Sequence, residues 1–144
     1  MVAVAGGTDV PLVPYFTFGT EALSQGVAEA LKDRWFTPEF GQRRPDVIER
    51  RMQQVIDTDP AVFLSVFDIY AETEMAPWLH EVKHPSLVLT GENDGGCNPR
   101  LNRLIHAALP GSELEILPDL KHAIFIEATD QVLPHVRRFL LNLP

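Results

Sequence analysis

The chain has 144 residues, 45% of them hydrophobic and 22% charged, with a net charge of −8. That is enough length to bury one core, with the composition of an ordinary globular protein. The acidic balance argues against nucleic acid or an anionic membrane surface as a partner, and the single cysteine, Cys97, excludes an intrachain disulfide.

No apolar run approaches the ~20 residues of a membrane span. Met1 to Gly7 has no basic flank and too short an apolar run for a signal peptide, so a cytoplasmic setting is expected. Residues 1–19 carry Gly6-Gly7, Pro11 and Pro14 without a sustained period, and are expected to form an irregular lead-in.

Residues 20–84 follow as a helical region. Thr20 can cap a first helix with apolar positions Leu23, Val27, Ala30 and Leu31, ended by Phe36-Thr37-Pro38. Asp46-x-x-Glu49 has the form of a capping box, and Ile48, Met52, Val55 and Ile56 make the buried stripe behind it. Asp59-Pro60 caps and starts a third helix, whose Val62, Phe63, Val66, Phe67 and Tyr70 predict a broad apolar face. A short fourth helix is expected over Met75 to Glu81. Helices without strands between them read as a cap rather than as sheet crossovers.

Residues 85–144 alternate instead. Ser86 to Thr90 predicts a strand, Gly91 to Gly96 a polar loop, Pro99 to Leu109 a helix and Leu114 to Leu117 a second strand. Asp119-Leu120-Lys121-His122 is the next loop. A last helix carries Val132, Leu133, Val136, Phe139 and Leu140, with Pro134 predicting a late start or a first-turn placement. In a parallel pair both loops leave the same, carboxyl edge. Asp94 and His122 would then face one another, as a base and the acid that orients it do.

This stretch resembles the C-terminal half of the α/β-hydrolase family, in which nucleophile, acid and histidine follow in that chain order. Gly91-x-x-Asp94 resembles the acid turn and Leu120-Lys121-His122 the histidine loop. Arg34-Trp35-Phe36-Thr37-Pro38-Glu39-Phe40 is similar to a cap segment of 3-oxoadipate enol-lactonase-like members. The resemblance implies an α/β fold, in which a helical cap precedes the last strands and helices of a doubly wound sheet. It also implies a hydrolase of small esters or lactones that needs no metal or organic cofactor. Asp94 and His122 would be catalytic, and Arg34 and Trp35 would contact an anionic substrate.

No Gly-x-Ser-x-Gly occurs in the sequence. Ser24 sits in a helix pattern without the flanking glycine, and Cys97 would need both a lowered pKa and its own oxyanion hole. The isolated chain is therefore expected to be inactive. Open strand edges would promote a homodimer or association with a complementary chain. The alternative class is a non-catalytic, self-associating assembly module. A third reading is a zinc peptidase through His80-Glu81-x-x-His84, disfavoured because Pro85 biases His84 away from helix.

Overall fold

The computed structural model describes residues 20–143. The lead-in expected over 1–19 lies outside them, as do the side chains of Leu23, Phe67 and Tyr70. The described residues fall into two compact units, one ending at Thr73 and the other beginning at Glu74.

The first unit is helical: α1 (Thr20–Trp35), α2 (Pro38–Arg43), α3 (Pro45–Ile56) and α4 (Pro60–Glu72). Ile48, Met52 and Val55 of α3 are buried as their spacing requires, together with Ala28, Phe36 and Phe40. The rings of Phe36 and Phe40 stack with centroids 5.6 Å apart. The six-residue α2 was not expected. Thr37, read as part of a stop, also caps it by accepting the Phe40 N–H at 3.3 Å.

The expected capping box does not form. Pro45 occupies the first turn of α3 and places Arg44 at the cap. Asp46 then lies inside the helix, where its carboxylate takes the Arg44 guanidinium at 2.9 Å. Asp59 caps α4 as expected, accepting the Ala61 N–H at 2.7 Å. Of the broad apolar face expected on α4, Val62 and Val66 are exposed and Phe63 is half-buried. Periodicity marks a stripe that could be covered, and does not say what covers it.

The second unit holds β1 (Leu87–Gly91), α5 (Pro99–Ala108), β2 (Glu113–Leu117), α6 (Ile124–Glu127) and α7 (Thr129–Leu141). The helix expected over Met75 to Glu81 is only a turn followed by one 3-10 turn, Leu79–Glu81, because Pro77 interrupts the segment. β1 and β2 pair in parallel, with Leu87 opposite Glu113 and Gly91 opposite Leu117. Both strands therefore end at one edge, as the sequence predicts. Every residue of β1 is buried, as expected for a strand covered on both faces.

One core cluster joins Leu87, Leu89, Leu117, Leu120, Ile124, Ala128 and Val132. On it rest Val136 and Phe139 of α7. A second cluster joins Leu79, Val88, Ile105 and Leu109. α7 starts at Thr129, so Pro134 lies inside it rather than at a late start. The missing N–H removes one bond near the helix start, and the buried Val132, 1% exposed, keeps the segment docked. Leu133 and Leu140, expected in the buried face, are exposed.

Candidate active site

The loops that follow β1 and β2 are joined by backbone bonds before any side chain meets. Glu92 N–H donates to the Leu117 carbonyl and Asn93 N–H to the Leu120 carbonyl, each at 2.8 Å. Asp119 turns the second loop in the left-handed region, φ 60, which aspartate tolerates better than most side chains. Its N–H reaches the Glu92 carboxylate at 3.3 Å. Gly91 lies so close beneath the second loop that a Cβ there would overlap the carbonyls of Leu120 and Lys121. Glycine is required by this approach, not by a special dihedral.

These bonds set the side chains of Asp94 and His122 against one another. His122 Nδ1 and Asp94 Oδ2 are 2.8 Å apart. Asp94 is 5% exposed. Its other oxygen, Oδ1, accepts the N–H groups of Gly96 at 2.8 Å and Cys97 at 3.0 Å. Burial pushes the Asp94 carboxyl up. The His122 hydrogen bond and charge, with the two N–H groups, outweigh burial and hold it below the ordinary carboxylate value. An ionised carboxylate only accepts, so Nδ1 carries the proton and donates it. In the neutral ring the other nitrogen is then an acceptor. The His122 side chain is 38% exposed, which leaves the ring open to a reactant.

Two residues that motif reading passed over hold this turn in shape. The Cys97 carbonyl accepts from Thr90 Oγ1 at 2.8 Å and from Asn102 Nδ2 at 2.6 Å. Thr90 and Asn102 are almost wholly buried. Asn98 caps α5 by accepting the Leu101 N–H at 3.1 Å. Buried Glu127 accepts the Lys121 N–H at 3.2 Å and so supports the backbone next to His122. The available signal was a polar residue on an apolar stripe. Asn102 lies on the same helical face as Ile105, where a core side chain is expected.

Cys97 comes near the pair but is no poised nucleophile. Burial, then the Asp94 charge, pushes its thiol up to about 11. Its alkylation by iodoacetamide is expected to stay slow at pH 7–8 and to accelerate only as the pH approaches that value. Fast labelling at pH 7, followed by mass spectrometry, would contradict this.

Arg34 and Trp35 belong to the helical unit, at the end of α1. The Arg51 guanidinium lies over the Trp35 ring, 5.1 Å from its centroid. His80 and Glu81 lie in the 3-10 turn and His84 lies beyond it. The two histidines are thus not on successive turns of one α-helix. Among the described residues, the only group of three or more metal-capable side chains is Asp94, Cys97 and His122. Among the same residues no helix is long and apolar enough to cross a membrane.

The structure is similar to the enol-lactonase of Burkholderia xenovorans LB400, with a TM-score of 0.78 and 27% identity. That match covers 83% of this chain and 45% of the other. The chain carries the C-terminal part of an α/β-hydrolase fold. A thermophilic esterase from Thermogutta terrifontis shares this fold, with a TM-score of 0.74 and 22% identity over 85% of this chain and 45% of that one. Among curated proteins, 3-oxoadipate enol-lactonase 2 of Acinetobacter baylyi is 25% identical over 91 residues, 63% of this chain and 34% of the relative. L-fuculose phosphate aldolase of Escherichia coli K12 is 59% identical over 34 residues, 24% of this chain and 16% of the relative. No family model matches the chain. The hydrolase part thus spans about half the length, or less, of the hydrolases it resembles. The two lactonases and the esterase among these proteins are hydrolases of lactones and esters by name, and the resemblance of the fold is to that class.

Proposed function

We propose that this chain is the acid-and-base part of a hydrolase of small carboxylic esters or lactones. The observation that carries the reading is the 2.8 Å contact between His122 Nδ1 and the buried Asp94 carboxylate at the ends of two parallel strands. Asp94 keeps the imidazole in one tautomer and stabilises its charged form. The second ring nitrogen takes the proton of a nucleophile and later returns it to the leaving group. Arg34 and Trp35 are assigned as contacts to an anionic substrate, on the likeness of their segment to enol-lactonase caps.

The 144 residues contain no Gly-x-Ser-x-Gly. The nucleophile and its oxyanion donors therefore come from another segment, and the chain alone is inactive. Among the described residues the sheet has only two strands, so β1 and β2 each have one unbonded edge. Such an edge favours a complementary chain or a second copy, in a cytoplasmic setting.

The test joins this chain in frame behind an α/β-hydrolase segment carrying Gly-x-Ser-x-Gly. The fusion is expected to hydrolyse small esters or lactones, and His122→Ala or Asp94→Asn in it to lower kcat by about 10⁴. The chain alone should show neither turnover nor labelling by a serine-directed phosphonate. A folded fusion without turnover, or phosphonate labelling of the chain alone, would sink the proposal.

A further inference from the structure

We propose that Asp94, Cys97 and His122 form a binding site for a soft divalent cation of the zinc class. One potential ligand atom from each lies within 4.8 Å of the other two. Thiolate, imidazole and carboxylate are the donors such a cation prefers. With bonds of roughly 2.0–2.3 Å, tetrahedral ligand atoms sit roughly 3.3–3.8 Å apart. The present separations are therefore within side-chain rotation of a three-ligand site.

The backbone around the three residues is held by bonds of its own. Asp94 Oδ1 is held by the N–H groups of Gly96 and Cys97, which leaves Oδ2 on the imidazole side. The Cys97 carbonyl is anchored by Thr90 and Asn102, so the thiol swings from a pinned residue. His122 is tied in through Asn93 N–H on the Leu120 carbonyl. Its partial exposure gives the cation a way in and leaves solvent to supply a fourth ligand. On binding, the Asp94–His122 hydrogen bond opens, the Nδ1 proton passes by way of solvent to the other ring nitrogen, the thiol proton leaves to solvent, and no electron changes hands.

Cation binding does not depend on the hydrolase reading. One consequence does: a cation held by His122 competes with its use as a base.

The test uses the purified full chain and Co²⁺ as the spectroscopic probe. The expected result is one Co²⁺ per chain, with a near-ultraviolet thiolate-to-cobalt charge-transfer band and visible bands of tetrahedral intensity, both displaced by Zn²⁺. Cys97→Ser should remove the charge-transfer band, and Cys97→Ser or His122→Ala should weaken Zn²⁺ binding by about tenfold or more. His80→Ala should change neither. Circular dichroism of each variant shows whether it has folded. Over an incubation long enough to label the slow Cys97 of the unaltered, metal-free chain, Zn²⁺ should protect it from a maleimide, a readout that needs no variant. Absence of the charge-transfer band together with unprotected Cys97 would overturn the site. So would binding that His80→Ala abolishes.

Discussion

Gly91→Ala is expected to lower the stability of the unit beginning at Glu74 by about 3 kcal/mol or more, because a methyl group there meets backbone rather than a flexible side chain. The Leu120 and Lys121 carbonyls it would overlap belong to the loop that carries His122. That loop is held down by Glu92 and Asn93 N–H groups on the Leu117 and Leu120 carbonyls. It can retreat only by stretching those bonds. For a unit of this size the loss corresponds to a fall in Tm of roughly 12 °C or more. Gly26→Ala is the matched control. Nothing lies within 4 Å of a Cβ there, and the residue is inside α1. That substitution should be neutral or stabilise by up to ~1 kcal/mol. Thermal melts of the two variants check the contrast. If Gly91→Ala melts with the parent and leaves the His122 ring resonances in place, the two loops are not in the contact described.

The strand, loop, helix, strand, loop run from Ser86 to His122 was legible because each piece has its own physical signature. A continuous apolar run marks the buried β1, a short run broken by Glu115 marks the half-buried β2, Pro99 marks the helix start, and the glycines mark the turn. Parallel pairing then brings Asp94 and His122 to one edge without further information. Elements shorter than two helical turns were not legible. The six-residue α2 and four-residue α6 are too short to show a period. The capping box failed for a local reason, since Pro45 starts the helix before Asp46 can cap it. Pro134 misled because a single missing hydrogen bond is a small loss for a helix docked through Val132. Thr90, Asn102 and Glu127 escaped because motif spacing reports groups that react, whereas these hold backbone atoms.

Acid unfolding should report the Asp94–His122 contact without any turnover. The folded Asp94 carboxyl lies below its ordinary value, so the folded state releases that proton more readily than the unfolded one. The stability this confers is complete above the unfolded value of ~3.9 and is lost as pH falls through the folded pKa. His122→Ala removes the side-chain bond and the charge that hold the carboxyl down. Burial, which pushes it up, is then opposed only by the Gly96 and Cys97 N–H groups. The folded pKa rises, so the variant should unfold at a higher pH than the parent. It should also lose on the order of 1–2 kcal/mol at neutral pH, a modest amount because the ring is partly solvated. Asp94→Asn separates the two parts of the interaction. Its amide oxygen can still accept the two N–H groups, but it does not titrate, so its acid limb should be shallower than that of either other protein. Asp94→Ala, which also leaves those N–H groups without their acceptor, should be the least stable of the series at pH 7. Circular dichroism from pH 7 to pH 2 reads all four. Superimposable curves would mean that the buried carboxylate and the imidazole are not coupled in solution, and the acid–base pair would have to be abandoned with them.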